Sequence, residues 1–176
     1  GFLANIMSHI PDLDLRGNRI LLLGAGGSAM SIIATLLTRG VREIVVANRT
    51  PERSIDLCER FGETIKPALW DDRHRSLSGC DILINTTPLG MTGQSALHIN
   101  LELLPHDAIV ADIVYSPLTT PLLKAARNLG HRIVPGLGML LHQAVPGFEL
   151  WFGRKPEVTS ELYDLVARDI NPDYQR

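Results

Sequence analysis

The most chemically informative stretch of the chain is a glycine-rich turn at residues 24–29. Gly24, Ala25, Gly26, Gly27, Ser28 and Ala29 fit the pattern G-x-G-x-x-A and directly follow the almost fully apolar run 19–23. In this pattern the first glycine makes a tight turn, the second lets a phosphate approach the backbone, and the alanine keeps a helix close to the strand. The free N–H groups at the start of that helix bind phosphate. We interpret the turn as the pyrophosphate site of a dinucleotide; the alternative is a glycine-rich turn without a ligand.

The residues after the second apolar run, 43–47, indicate which dinucleotide binds. An NAD site usually has an acidic residue there, which accepts hydrogen bonds from the ribose 2′-OH. This chain has Asn48, Arg49 and Thr50, followed by Pro51 and then Arg53. Thr50 and Pro51 predict the N-cap and first residue of a helix, so Arg53 falls in the first turn, where a cation is unfavourable against the helix dipole. Two guanidinium groups there suit a 2′-phosphate and predict NADP; the alternative is two solvated arginines.

Other polar residues follow predicted strands or lie near the start of a predicted helix. They are Asn85, Thr86, Thr87, Asp112, Tyr115 and Gln143. Open α/β sheets bind ligands at the carboxyl ends of their strands, so these residues are candidate ligand groups. Capped turns and ordinary structural roles are the alternatives, because asparagine and threonine are also good turn residues.

The spacing of apolar residues predicts the elements that carry these groups. Predicted strands cover 19–23, 43–47, 64–65, 81–85, 108–115 and 132–134. Predicted helices cover 1–10, 30–37, 51–61, 71–77, 121–129, 139–152 and 160–170. We expect Pro146 to kink the helix over 139–152 or to start a new one.

This alternation predicts an α/β fold, namely a Rossmann-like, doubly wound and mostly parallel sheet flanked by helices, with the C-terminal helices packing back. We expect three regions: a leading helix and linker at 1–17, an NADP-binding domain at 18–153 and a C-terminal helix at 154–176.

Composition narrows the class of protein. The chain has 176 residues and a formal charge of −2, with no basic stripe, which argues against general nucleic-acid binding. It contains no apolar run of the ~18 residues that a membrane span needs. The spacing of its histidines and of Cys58 and Cys80 predicts no metal site. Two thiols far apart in the sequence are consistent with a cytoplasmic protein.

Several of these stretches together resemble one family. They are G-A-G-G-S-A at 24–29, N-R-T-x-x-R at 48–53, I-N-T-T-P-L-G-M at 84–91, D-I-V-Y-S-P-x-x-T-P-L at 112–122 and G-x-G-M-L-x-x-Q-A at 136–144. The combination resembles shikimate dehydrogenase across nearly the whole chain. The blocks around Tyr115 and at 139–143 are the most specific to that family.

The resemblance implies a cofactor site in several parts. The stretch 24–28 would bind the pyrophosphate, and the stretch 48–53 would hold the adenosine 2′-phosphate. Thr86 and Thr87 would line the cofactor path. Ile113, Gly136 and Met139 would lie near the nicotinamide half.

The resemblance also implies a reaction, the reversible reduction of 3-dehydroshikimate to shikimate by NADPH in aromatic amino-acid biosynthesis. Tyr115 and Gln143 would reach the substrate hydroxyls. We expect a small-molecule substrate and a monomer or homodimer, with neither nucleic acid nor membrane as partner.

One departure from the family is large. Its members carry an N-terminal substrate domain of about a hundred residues that supplies the catalytic lysine and aspartate, and this sequence has no counterpart to it. We therefore expect no catalytic residue in these 176 residues and no activity of the fragment alone. The alternatives are a stand-alone, non-catalytic NADP-binding module and a quinate/shikimate dehydrogenase that uses NAD.

Overall fold

The computed structural model describes residues 1–175 and places six strands in one parallel sheet. The strands are β1 Arg19–Leu23, β2 Glu43–Asn48, β3 Ile65–Leu69, β4 Ile82–Asn85, β5 Ile109–Asp112 and β6 Arg132–Val134. Their order is β3-β2-β1-β4-β5-β6, and every neighbouring pair is parallel. This is the doubly wound order of the Rossmann fold, so the predicted fold class is confirmed.

Helices connect the strands and continue past the last one. They are α1 Phe2–His9, α2 Gly27–Leu37, α3 Pro51–Phe61, α4 Pro121–Asn128, α5 Leu137–Phe152 and α6 Ser160–Ile170. The hydroxyl of Thr120 accepts a hydrogen bond from the backbone N–H at the start of α4, and Thr159 does the same for α6. These caps begin the two helices where the sequence predicts them. Among residues 1–175, no helix has the length and apolar character needed to cross a bilayer.

The alternation of side chains along the strands divides the core between the two faces of the sheet. Ile20 and Leu22 of β1 join one buried cluster, which also contains residues of α1 and α2. Leu21 and Leu23 join a second cluster on the opposite face, which contains residues of α4. The central strand is therefore buried on both faces, as its apolar sequence predicts.

The predicted strand over 108–115 is too long, because β5 ends at Asp112. The Asp112 carboxylate accepts a hydrogen bond from the backbone N–H of Val114 at 3.0 Å. This local bond turns the chain away from the sheet, since aspartate side chains compete with strand pairing. The apolar character of Ile113 and Val114 therefore reflects packing rather than a continued strand.

The region between β2 and β4 also differs from the prediction. β3 runs to Leu69, well past the predicted 64–65, and contains Lys66 and Pro67. It lies at the edge of the sheet, where a proline is tolerated. The predicted helix over 71–77 is instead two single turns of 3-10 helix, Trp70–Asp72 and Arg75–Leu77.

The predicted helix over 139–152 begins two residues earlier, at Leu137, and continues through Pro146 as one element. It packs against α1 and α6. Its buried residues are confined to its first turn, at Leu137, Gly138 and Met139. Pro146 therefore starts no new helix.

Candidate functional site

The turns after β1, β2 and β4 meet at the carboxyl edge of the sheet and enclose a cleft of about 170 Å³. It is lined by Gly24, Ala25, Gly26, Asn48, Arg49, Arg53, Trp70, Thr86, Thr87, Pro88 and Leu89. Eight of these belong to the predicted cofactor site. The cleft lies where the strand order reverses between β1 and β4, which is where open α/β sheets bind ligands.

Gly24 brings two of these turns into contact. Its φ is +102°, and a Cβ at this position would lie 2.8 Å from Oγ1 of Thr86 and 3.0 Å from Cγ2 of Thr87. Thr86 is itself held to the same turn, because its hydroxyl donates to the carbonyl of Leu23 at 2.7 Å. Glycine at position 24 is therefore required by both the backbone angle and the close approach.

The start of α2 presents backbone N–H groups beside Gly26. The helix begins at Gly27 with Gly26 as N-cap, and no side chain caps it. The first N–H groups of a helix, here those of Gly27, Ser28 and Ala29, have no partner within it. A Cβ on Gly26 would meet no atom of residues 1–175 within 4 Å, so packing among these residues does not require a glycine there. This arrangement fits the approach of a phosphate.

Arg49 and Arg53 lie at the other side of the cleft, by the start of α3. Arg53 occupies the third position of that helix, and both side chains are exposed. Within residues 1–175, neither guanidinium forms an ion pair or a side-chain hydrogen bond. Two unpaired cations at the positive end of a helix dipole favour the binding of an anion.

Asn48 and Thr50 shape the turn that carries Arg49. The side-chain amide of Asn48 donates to the carbonyl of Thr50 at 2.9 Å. Thr50 is the N-cap residue of α3, as predicted, but its hydroxyl accepts no capping hydrogen bond. In the structure, Asn48 and Thr50 thus help to form the backbone turn between β2 and α3.

Trp70 is a lining residue that the sequence analysis missed. Leu69 pairs with Asn48 across β2 and β3, so the next residue lies at the same edge of the sheet. The guanidinium of Arg73 lies 4.6 Å from the centre of the indole ring and also donates to the Trp70 carbonyl. A strand that continues to Leu69 places Trp70 at this edge. Lys66 and Pro67 are uncommon in strands, so the sequence does not indicate that the strand continues.

A buried polar network connects the turn after β4 to the turn after β5. Nδ2 of Asn85 donates to Oδ1 of Asp112 at 3.0 Å, and Oδ1 of Asn85 accepts from the Thr87 hydroxyl at 2.7 Å. The hydroxyl of Thr120 donates to Oδ2 of Asp112 at 2.7 Å. Burial raises the pKa of Asp112 to about 6, although its hydrogen bonds to Thr120, Val114 and Asn85 act in the opposite direction.

The residues predicted near the nicotinamide lie outside the cleft lining but close to one another. A Cβ on Gly136 would collide with the carbonyl group of Ile113 and with the carbonyl oxygen of Val114. The turn after β6 therefore packs directly on the backbone after β5. Met139 follows one helical turn later and is buried, with its N–H bonded to the Gly136 carbonyl at 3.0 Å.

The two predicted substrate residues are on different elements. Tyr115 is 41% exposed and follows the turn made by Asp112. Gln143 is exposed on α5, and its side chain lies beside Gly1.

The described lining of the cleft carries groups that suit an anion better than a proton-transfer step. Among the described residues that line it, the ionisable side chains are those of Arg49 and Arg53. A guanidinium stays protonated in proteins and acts only as a donor. The remaining donors are hydroxyls, one amide, the indole N–H of Trp70 and backbone N–H groups. The residues present therefore fit a phosphorylated dinucleotide.

The strand order and the glycine turn at the reversal point define a Rossmann-type nucleotide-binding fold. The chain belongs to the shikimate/quinate 5-dehydrogenase family. The family profile described as "Shikimate / quinate 5-dehydrogenase" matches residues 5–97, and the one described as "Shikimate 5'-dehydrogenase C-terminal domain" matches residues 136–160.

Curated relatives and solved structures agree with this assignment. Shikimate dehydrogenase (NADP(+)) of Rhodopseudomonas palustris (strain BisB5) is 52% identical over 170 residues, which are 97% of this chain and 60% of that protein. Quinate dehydrogenase from Corynebacterium glutamicum, solved with NAD, has a TM-score of 0.84 at 30% identity, over 94% of this chain and 60% of that one. Shikimate 5-dehydrogenase from Thermus thermophilus, solved with NADP(H) and shikimate, has a TM-score of 0.77 at 30% identity, over 96% and 60%. The chain thus spans about 60% of the length of these relatives.

Proposed function

We propose that this chain is the NADP-binding part of an NADP-dependent shikimate dehydrogenase. The observation that carries the proposal is the pair of unpaired guanidinium groups of Arg49 and Arg53, which lie in the same cleft as the glycine turn. NADP has two anionic groups that suit this cleft: its pyrophosphate would lie beside the glycine turn, and its 2′-phosphate would lie beside the two arginines. The relatives named as NADP(+) enzymes, at about 50% identity, support the same cofactor.

The chain's own residues would divide the cofactor between them. The N–H groups at the start of α2 would hold the pyrophosphate, and Arg49 and Arg53 would hold the 2′-phosphate. Thr86 and Thr87 would line the path between them. Ile113, Gly136 and Met139 would give the nicotinamide half a largely apolar surface. NADPH, when bound, supplies the hydride for reduction of a carbonyl group.

For the substrate side, we propose that Tyr115 and Gln143 bind hydroxyl groups of shikimate and 3-dehydroshikimate. Both side chains carry donors and acceptors suited to hydroxyls, and both are accessible.

Reduction of the ketone also needs a proton at the carbonyl oxygen. Among the described residues that line the cleft, the ionisable side chains are guanidinium groups, which keep their protons. We therefore place the proton donor in the additional length of the relatives.

The experiment that tests the cofactor is a pair of binding titrations, one with NADPH and one with NADH. Hydrogen bonds to charged groups contribute about 1.5–3 kcal/mol each. Arg49→Ala should therefore weaken NADPH binding by roughly 10- to 100-fold and NADH binding by less than about threefold. An equal loss for both nucleotides would mean that Arg49 contacts something other than the 2′-phosphate.

A matched control comes from the same strand. Arg42 directly precedes β2 and is exposed, but lies at the opposite end of the strand from the cleft. Arg42→Ala removes the same charge and should leave both affinities unchanged. A similar loss in this variant would point to a general effect of net charge.

The second candidate is a quinate/shikimate dehydrogenase that uses NAD. The structural similarity to the quinate dehydrogenase solved with NAD favours it. Against it, the residue at the end of β2 is Asn48, and the amide of that residue is bonded to the Thr50 carbonyl. Tighter binding of NADH than of NADPH by the unmodified chain would establish this candidate and reject the first.

A further inference from the structure

Asp112 is a buried carboxylate, and hydrogen-bond donors from three segments converge on it. It is 2% exposed. Its Oδ1 accepts from Nδ2 of Asn85 and from the backbone N–H of Val114, each at 3.0 Å, and its Oδ2 accepts from the Thr120 hydroxyl at 2.7 Å. The three donors belong to β4, to the turn after β5 and to the N-cap of α4.

The network continues from Asn85 into the wall of the cleft. Oδ1 of Asn85 accepts from both the backbone N–H and the hydroxyl of Thr87, at 3.0 and 2.7 Å. Nδ2 of Asn85 also donates to the Leu89 carbonyl at 3.2 Å, and the Leu89 N–H donates to the Thr87 hydroxyl at 3.2 Å. Thr87 and Leu89, which line the cleft, are thus held by a residue that Asp112 orients.

We propose that Asp112 is a positioning residue for the cofactor cleft, acting through Asn85 on Thr87 and Leu89 and through Val114 on the turn that carries Ile113 and Tyr115. The proposal rests on the proposed NADP site. It assigns to one carboxylate the relative placement of the cleft wall and of the turn that faces the nicotinamide half.

The chemistry of the donors explains why this position holds a carboxylate. Three donors arrive at one side chain, and a carboxylate accepts from all of them without reorienting. Burying the charge disfavours ionisation, which is why the pKa of Asp112 is raised to about 6. An apolar residue would remove that penalty but would take away the acceptor that these three donors share. A polar network kept at such a cost is typical of a site where position matters more than stability.

The two turns are also linked by the hydroxyl groups of Thr92 and Ser116, which lie 3.3 Å apart, and by a backbone hydrogen bond from Thr92 to the Ser116 carbonyl at 2.8 Å. These links join them nearer the surface and do not reach Thr87. Loss of the Asp112 contacts would therefore leave the turns connected, but would release Thr87 and Leu89 from their fixed orientation.

Two substitutions separate hydrogen bonding from charge. In Asp112→Asn, the amide oxygen can accept from Asn85 and Val114 while its NH₂ group donates to the Thr120 hydroxyl, so the connections survive. In Asp112→Ala all three are lost. We expect Asp112→Ala to weaken NADPH binding at least tenfold, and Asp112→Asn to remain within threefold of the unmodified chain.

The controls distinguish positioning from general destabilisation. Ile109 lies at the other end of β5 and is buried, so Ile109→Ala destabilises the same strand without touching the network. Titrations are run well below each variant's Tm, with NADPH and separately with adenosine 2′-monophosphate, which carries the 2′-phosphate assigned to Arg49 and Arg53 but neither the pyrophosphate nor the nicotinamide half. Asp112→Ala should lose NADPH affinity but keep its affinity for the monophosphate, and Ile109→Ala should keep both.

If Asp112→Ala does not fold, Thr120 provides the test. Thr120→Val removes one donor at nearly constant volume and should weaken NADPH several-fold, whereas Thr120→Ser keeps the hydroxyl and should not. Equal NADPH affinity in the Asp112→Ala and Ile109→Ala variants would overturn the proposal, as would an Asp112→Asn variant as weak as Asp112→Ala. If the unmodified chain binds neither NADPH nor the monophosphate, it is the NADP site itself that is wrong.

Discussion

Gly24 and Thr86 approach so closely that a single Cβ on residue 24 would lie 2.8 Å from the threonine Oγ1. The contact joins the turn after β1 to the turn after β4 and so closes one side of the cleft. Because Gly24 also has φ +102°, the backbone itself favours glycine at this position. Gly26, two residues later, has neither constraint.

This contrast predicts different outcomes for two similar substitutions. Gly24→Ala should lower the free energy of unfolding by about 1–3 kcal/mol, because alanine is strained at φ +102° and Thr86 must move to make room for the Cβ. Gly26→Ala should change stability by less than about 1 kcal/mol yet weaken NADPH binding at least tenfold, because its Cβ occupies the phosphate approach. Denaturant unfolding and NADPH titration of both variants provide the test. A Gly26→Ala chain with normal affinity would contradict the assigned pyrophosphate site.

The pKa of Asp112 predicts how stability depends on pH. The value of about 6 in the folded chain lies above the ordinary 3.8, so the folded state binds the proton more tightly than the unfolded state. Ionisation of Asp112 therefore costs stability as pH rises from about 4 to 6, and the full cost persists above that window. The rise in the pKa of Asp112 from 3.8 to about 6 corresponds to about 3 kcal/mol of unfolding free energy.

Asp112→Asn isolates this contribution, because the amide does not titrate. The stability of this variant relative to the unmodified chain should rise by up to about 3 kcal/mol between pH 4 and pH 7. Urea unfolding at several pH values measures the difference. A difference that stays constant with pH would show that Asp112 does not titrate in this window.

Trp70 predicts an optical signal for binding. The chain has two tryptophans, and Trp151 is 82% exposed on α5 while Trp70 lines the cleft. A nucleotide base in the cleft would pack against the indole, and base–aromatic stacking contributes about 1–3 kcal/mol. Oxidised NADP should therefore change the fluorescence of the Trp151→Phe variant but not that of Trp70→Phe. Trp70→Ala should weaken binding about fivefold or more. A signal that follows Trp151 instead would remove Trp70 from the site.

The 176-residue polypeptide should bind the cofactor without catalysing the reaction at a normal rate. It should bind NADPH but oxidise shikimate with NADP far more slowly than the Rhodopseudomonas palustris relative assayed in parallel, because acid–base help typically contributes about 10²–10⁴-fold. Absorbance at the NADPH band measures the rate. Turnover comparable to that of the relative would show that these residues contain their own proton donor.

Much of the candidate site is predictable from the sequence because its signals are local. The glycine turn, the arginines at the start of α3 and the capped starts of α4 and α6 depend on residues a few positions apart. β3 was underestimated because Lys66 and Pro67 are tolerated only at a sheet edge, and sequence periodicity does not show which strand is at the edge. The placement of Trp70 was missed for the same reason.

Asp112 shows most clearly that the sequence does not predict the partners of a side chain. Its type and its position near a strand end made it a candidate ligand group, yet its carboxylate accepts hydrogen bonds within the chain from Asn85 and Thr120. The alternation of strands and helices, the glycine turn and the cationic pair can be inferred from the amino-acid order alone, because each arises from short-range backbone preferences and charge. Which turns meet is visible only in the folded chain, since contacts such as Gly24 with Thr86 and Gly136 with Ile113 depend on the strand order, which brings together segments far apart in the chain.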